Sequence, residues 1–438
     1  MSNEKIVNVI GGGLAGSEAC YQLLKLGYQV NLFEMKPVKF SPAHKNKNFA
    51  ELVCSNSLKS NDVTSACGLL KEELRKLDSL VISVADQVKV PAGSALAVDR
   101  EKFSEQITQK LKSYKNLNII EGEVTSFDLT KPTIIATGPL TSDGLVEFLK
   151  TIFKENYLYF FDAIAPIVNY DGIDFNSAFI ADRYDKGTGD YINCPLNKEE
   201  YEVFYNELIK AETVQLKDFE NKKVFEGCMP VEVLAKRGVD ALRFGPLKPV
   251  GLTDPKTGRY PYACVQLRRE TNNLDMFNMV GFQTNLTFKE QERVFKLIPA
   301  LKNAEFLRFG VMHRNTFINA PSILNKHFQV KEYPNIFVAG QLSGVEGYVE
   351  SIAGGLVCAL NMHNFLNKKP LIDFTAHTMI GALANYISSA SEKHFQPMGS
   401  NMGILIGSTE RIKDKKLKYK MLSDNSLKVL DEIIKNNM

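Results

Sequence analysis

Apolar positions along the chain follow two rhythms. Residues 5–10, KIVNVI, are a β-branched run ended by three glycines, the pattern of a short strand buried on both faces. Ala15, Ala19, Leu23, Leu24 and Leu26 then recur at helical spacing until Gly27 stops them, and residues 29–33 form a second apolar run ending at Glu34. The strand-and-turn signature returns at 133–139, TIIATGP, and at 335–347, NIFVAGQLSGVEG, which leads into the helix-like run VESIAGGLVCALNMH. Between these, roughly residues 156–325 are less regular and richer in aromatics, Asp and Arg, as in FDAIAPIV and DRYDKGTGDYINCP. The pattern predicts an α/β chain in which a Rossmann-like domain is interrupted by a smaller inserted α+β domain. Residues 1–155 begin the first domain, 156–325 are the insertion, and 326–438 complete the first domain and add a basic tail.

The glycines give the first domain its chemistry. Gly11, Gly13 and Gly16 form G-x-G-x-x-G between a strand and a helix, with Gly12, Leu14 and Ala15 filling the turn. Gly11 makes the tight turn, Gly13 lets backbone N–H groups approach a pyrophosphate, and Gly16 allows close helix–strand packing. The helix N-terminus favours negative charge, and Glu34 can accept ribose hydroxyls. A dinucleotide is therefore expected. FAD fits better than NAD because Gly340, Gln341 and Gly344 lie in a distant strand–turn–helix unit of the kind that glutathione-reductase-type FAD proteins bring back to the cofactor. No second G-x-G-x-x-G supplies a separate NAD(P) domain.

Composition narrows the setting. The chain has 438 residues, 24% charged and 44% hydrophobic, ordinary for a globular protein of two or three domains. No apolar run reaches the roughly 18 residues of a membrane span, and MSNEKIVNVIGGG lacks the pattern of a signal peptide. Seven scattered cysteines without a CxxC pair argue against a disulfide framework or a zinc site, and for reduced thiols in a cytoplasm; no metal is expected. A net charge of +3 does not by itself mark a nucleic-acid binder.

Two of those cysteines have unusual neighbours. Cys54 sits in ELVCSNSLKS, where small polar residues suit a loop better than a packed element. Cys228, in KVFEGCMPVEVLAKRG, precedes a Met–Pro bend and a group of cations: Lys236, Arg237, Arg243, Lys248, Arg268 and Arg269. Such a surface would lower a thiol pKa and attract phosphates, whereas each cation taken singly is also readable as a solvated surface charge. The same two readings apply to the tail RIKDKKLKYK. Asp99 and Arg100, in ALAVDR, either contact the cofactor or pair with each other. Cys67, Cys194, Cys264 and Cys358 are read as structural.

GGGLAGSEA, FAELVCSNSLKS, GLLKEELRKLDSL, VPAGSALAVDR, FEGCMPVEVLAKRG, LRFGPLKPVGLTDP, VGFQTNL, GVMHRNTFIN and GQLSGVEGYVES closely resemble the folate- and FAD-dependent RNA uracil-5-methyltransferases, the TrmFO family. The resemblance runs from about residue 6 to HFQPMGSNMGIL near 405. It implies that methylenetetrahydrofolate gives a one-carbon unit to reduced FAD, which passes it to carbon 5 of a uridine, with NAD(P)H as electron source. It also implies that Cys54 and Cys228 are catalytic. Carbon 5 of uracil becomes nucleophilic once a thiolate adds to carbon 6, and a base must later remove the carbon 5 proton. Cys228, with basic neighbours, is assigned the addition and Cys54 the proton abstraction; the sequence allows the reverse order. His313, Arg314 and Tyr348 are candidates to stack on or orient folate or flavin, and Arg237, Arg243 and Arg268 to contact RNA.

The expected target is the T-loop uridine of tRNA, with a uridine of large-subunit (23S) rRNA as the alternative. More distant readings are a GidA-like tRNA-modifying flavoprotein, a small-molecule flavin oxidoreductase that turns over without RNA, and a non-enzymatic RNA-binding flavoprotein. Oligomeric state is not legible in these residues.

Overall fold

The computed structural model describes residues 5–437 apart from 42, 155–157, 186–187, 215–228, 271–275 and 408–412; for 158–163, 185, 313, 314 and 394 only the backbone is described. The first strand, β1 (Ile6–Ile10), runs into helix α1 (Leu14–Lys25) and returns as β2 (Gln29–Glu34). Val7, Val9, Val30 and Leu32 are fully buried, as a strand covered on both faces requires. β1 pairs in parallel with β2 on one side, Ile6 opposite Gln29, and with Thr133–Ile135 on the other. Leu117–Glu121 extends the sheet beyond β2. Ile336–Val338 closes the opposite edge against Thr133–Ile135, so a strand from late in the chain completes a five-stranded parallel sheet. This is the expected Rossmann-like arrangement.

The helix after that last strand, Tyr348–Leu366, lies against α1. The two backbones approach so closely that a Cβ at Gly355 would overlap the carbonyl oxygen of Ala15; within the turn before α1, one at Gly16 would overlap that of Gly11. Around them pack helices Ala66–Lys76, Leu80–Gln87, Arg100–Lys112 and Met379–Ser389. Buried Glu73 ties two of these elements to a third. Its carboxylate accepts the N–H groups of Met379 and Ile380, which open the helix Met379–Ser389, and the hydroxyl of Ser426 in the C-terminal helix Lys415–Asn437.

Residues 51–56 are the expected loop around Cys54, but Ser57–Ser60 continues as a strand paired with Ala95–Val98. The polar look of SNSLKS conceals one buried anchor, Leu58, whose carbonyl is held by the ammonium of buried Lys71 at 2.7 Å.

A second sheet of six antiparallel strands is built within residues 167–308, in the order Phe179–Ile180, Tyr191–Leu196, Ala263–Arg269, Met276–Met279, Ile167–Asn169, Phe306–Arg308. Helix Lys198–Lys210 packs on it, started by a reciprocal cap between Asn197 and Glu200. This region has its own apolar core, with Val168, Cys194, Phe204, Val265, Phe282 and Phe295 buried, separate from the core formed by residues 7–153 and 317–433. Leu158–Ala163 and Met312–Phe317 pair antiparallel where the chain enters and leaves the second lobe. Among the described residues no helix is long and apolar enough to cross a membrane.

Candidate functional site

The turn between β1 and α1 forms a cradle. α1 begins at Gly13 with no side-chain cap, and a Cβ on Gly13 would meet nothing within 4 Å. The helix start thus has no side-chain cap and open space beside Gly13, an arrangement that suits a phosphate. Glu34 closes the turn from the end of β2: one carboxylate oxygen accepts Gly12 N–H at 2.7 Å, the other Lys36 N–H at 3.0 Å. The groove continues past Glu123, Thr137 and Thr141. The helix Tyr348–Leu366 also starts without a side-chain cap, at Gly347, and Gly340, Gln341 and Gly344 form the turn that leads to it. Gly344 has φ +87° and lies against the Phe395 ring, which leaves no room for a side chain. Gln341 reaches Glu346 at 2.8 Å. Two uncapped helix starts and a buried acid at the second strand end fit a dinucleotide such as FAD.

The second feature is the thiol loop. Six cysteines lie among the described residues, none in a disulfide, and Cys54 alone is not fully buried. Its loop is gripped from both lobes. Tyr348 Oη accepts the N–H of Cys54 at 2.8 Å and of Ser55 at 3.2 Å. Arg308 donates to the Val53 carbonyl at 2.7 Å, while Arg100 donates to the Leu52 carbonyl and, at 3.4 Å, to that of Cys54. Arg268 donates to Ser55 Oγ at 2.6 Å and Asn56 Oδ1 at 3.0 Å, and Asn56 Nδ2 donates in turn to Val98 O and Arg269 O. Glu270, 1% exposed, pairs with Arg100 at 2.7 Å across the seam.

Electrostatics follow from this crowding. Burial opposes the charge of Arg100, but Glu270, Tyr348 and Cys54 together outweigh it and the guanidinium pKa is raised. Arg308 is shifted down, first by burial and then by Arg100. Burial, followed by the nearby Cys54, pushes the Tyr348 phenol well up, so it stays a neutral hydroxyl.

Of the expected site residues, the structure brings Gly11, Gly12, Gly13, Leu14, Ala15, Gly16 and Glu34 together in the cradle, with Gly340, Gln341 and Gly344 at the neighbouring turn. Arg100 lies with the thiol loop, bonded to Glu270 instead of Asp99, which caps its own helix through Lys102 N–H. Tyr348 and Arg268 are also at that loop. Arg243 lies elsewhere on the second lobe, its guanidinium 3.7 Å from the Tyr262 ring centre, and Arg237 is exposed on the same lobe. His313 and Arg314 sit in the strand Met312–Phe317 at the lobe junction, with only their backbone described. Cys228 lies outside the described residues. Sequence reasoning missed Arg308, Glu270 and Asn56. Nothing in FLRFG or LRRE separates them from ordinary strand-end charges. No group of three or more His, Cys, Asp or Glu among the described residues is placed to hold a metal ion.

A family model described as Glucose inhibited division protein A matches residues 6–370. The chain is 56% identical over 429 residues to a protein of Acetivibrio thermocellus named methylenetetrahydrofolate–tRNA-(uracil-5-)-methyltransferase TrmFO, with 98% of each chain covered. A protein of the same name from Natranaerobius thermophilus is 55% identical, covering 99% of this chain and all of that one. Among solved structures, form I of Aquifex aeolicus GidA superposes with a TM-score of 0.71 at 16% identity, covering 98% of this chain and 76% of that one, a likeness of fold.

Proposed function

The chain belongs to the TrmFO family, within the wider group described by the Glucose inhibited division protein A model, and on that premise we propose that it methylates carbon 5 of a uridine in tRNA with methylenetetrahydrofolate as carbon donor. The near-complete match to relatives bearing that name carries the reading, and it favours tRNA over rRNA as the target.

FAD would supply transfer of the one-carbon unit and of hydride, with NAD(P)H restoring its reduced state. The chain's own residues bind and orient. The N–H groups at Gly13 and the start of α1 receive the pyrophosphate, and Glu34 takes the ribose while fixing the turn through Gly12. Cys54 is assigned the removal of the proton from carbon 5 of the uracil, and Cys228 the addition to carbon 6 that makes carbon 5 nucleophilic. Tyr348 and Arg100 fix the Cys54 backbone. Arg237, Arg243 and Arg268, with His313 and Arg314, are assigned to the RNA and folate side. Residues 1–155 and 326–438 act as the cofactor domain and 156–325 as the inserted substrate domain, a division that the two separate apolar cores support.

The test is mass-spectrometric mapping of 5-methyluridine in tRNA and rRNA from cells with and without this gene. Loss confined to the tRNA T-loop is the expected result, restored by the wild-type gene and not by Cys54→Ala. Loss from rRNA alone would replace the substrate, and loss from neither would overturn the reading.

A further inference from the structure

Among the described residues three guanidinium groups surround the backbone of Cys54, and their charges are not equivalent. Arg100 is met by the Glu270 carboxylate at 2.7 Å. Arg268 is engaged by neutral acceptors, among them Ser55 Oγ and Asn56 Oδ1, farther along the loop. Arg308 donates one N–H to the carbonyl of Val53, directly before the thiol, and among the described residues no carboxylate lies within ion-pair distance of it. Among the described residues, the charged and titratable groups facing the thiol loop include Arg100 from the helix Arg100–Lys112, Tyr348 from the helix Tyr348–Leu366, Arg268 and Glu270 from the strand Ala263–Arg269 and its end, and Arg308 from Phe306–Arg308. With Arg100 paired to Glu270 and Tyr348 uncharged, Arg308 is, among the described residues, the cation bonded to the peptide next to Cys54 that has no carboxylate in direct contact.

We propose that Arg308 is the positioning residue that holds Cys54 as a thiolate, its proton released to solvent, so that the sulfur can accept the carbon 5 proton of the bound uracil. The inference rests on the reading of Cys54 as the base of the methyl transfer, and it makes the inserted lobe responsible for arming a thiol that belongs to the other lobe. A cation this close favours the ionised form of an acid, and desolvation strengthens the effect.

The experiment measures the rate at which iodoacetamide labels Cys54 in the full-length flavin-bound protein, read by peptide mass spectrometry across the neutral pH range, without RNA or folate. Arg308→Gln keeps a donor for the Val53 carbonyl but removes the charge. It is expected to raise the labelling midpoint by about one pH unit and slow labelling near neutral pH about tenfold. Arg308→Lys is expected to stay within about half a unit of wild type. Glu270→Gln, which frees the charge of Arg100, is expected to lower the midpoint. A wild-type midpoint in Arg308→Gln overturns the proposal, and so does a shift of both glutamine variants in the same direction. If Arg308→Gln does not fold, a midpoint in Glu270→Gln that is not lowered overturns it. Normal labelling shifts with no methyl transfer to tRNA would sink the proposed function and leave this inference standing, and unchanged midpoints with active enzyme would do the reverse.

Discussion

The hydroxyl oxygen of Tyr348 accepts the backbone N–H of Cys54 at 2.8 Å, joining residues 294 positions apart. The same oxygen accepts Ser55 N–H at 3.2 Å, so the phenol's own proton remains available to a third partner. The start of the helix Tyr348–Leu366 is thereby tied to the thiol loop.

Tyr348→Phe leaves two N–H groups without their acceptor, at a cost of about 1–3 kcal/mol each where water does not replace it. Because the loss falls on the loop and not on either core, kcat for methyl transfer should drop at least about tenfold, the rate equivalent of 1.4 kcal/mol. The KM for tRNA should stay within about twofold, and hydrogen exchange at residues 53–56 should accelerate. A variant with wild-type kcat and unchanged exchange would show that the two hydrogen bonds do not hold the loop.

Two glycines separate cofactor binding from folding. A Cβ at Gly355 runs into the Ala15 carbonyl, so Gly355→Ala must push Tyr348–Leu366 away from α1, at a cost of about 1–3 kcal/mol. Both the melting temperature and the bound flavin should fall. Gly13→Ala meets no protein atom within 4 Å but intrudes on the cradle. It should keep the melting temperature of the flavin-free protein while weakening flavin binding, as titration followed by absorbance or fluorescence would show. Equal effects of the two substitutions on the flavin-free protein would refute the distinction.

Glu73 gives the fold a pH dependence. Burial lifts its carboxyl from an ordinary value of 4.5 to about 7, against the pull of Ser426, Met379 N–H and Ile380 N–H. With the folded value raised, the stabilising contribution is complete below about pH 4.5 and is lost as pH rises through about 7. Between pH 5 and 8 the wild type should lose about 2–3 kcal/mol of stability relative to Glu73→Gln, whose side chain does not titrate. Denaturant melts of both proteins at those pH values check this, and parallel pH profiles would exclude Glu73 as the source.

The first lobe was legible because its signals are local. β1, the glycine turn, α1 and Glu34 occupy one short stretch, and each residue type has a backbone reason to be where it is. The return of Ile336–Val338 to the sheet could be inferred from a repeated strand–turn–helix pattern. The thiol loop was harder. Cys54 stood out by its polar neighbours, but the groups that hold it come from positions 100, 268, 308 and 348, and only folding brings them together. Arg308 and Glu270 carry no local mark, since an Arg or Glu at a strand end is usually a solvated charge. Arg100 was read either as a cofactor contact or as an ion-pair partner of Asp99, and the structure gives it a buried partner, Glu270, in the other lobe. Long-range pairing decides such residues, and periodicity does not report it.

The C-terminal helix shows the same contrast between its two ends. Leu422, Leu430 and Ile433 bury its middle and far end, Ser423 bonds to Val63 O at 2.8 Å, and Lys76 pairs with Asp431 at 2.8 Å. Its beginning carries Lys415, Lys416, Lys418 and Lys420, all exposed. Cations in the first turn of a helix oppose the macrodipole, so Lys415, Lys416 and Lys418 cost the helix a few tenths of a kcal/mol each, against which Lys415 has its place over the Tyr419 ring. The four lysines are expected to meet phosphates. Replacing all four with Ala should leave the melting temperature unchanged or slightly raised and weaken tRNA binding at low salt. It should also flatten the plot of log affinity against log salt by about 0.7–0.9 for each phosphate that the lysines neutralise in the wild type. An unchanged salt slope in filter-binding or fluorescence titrations would return the lysines to the status of a solvated face.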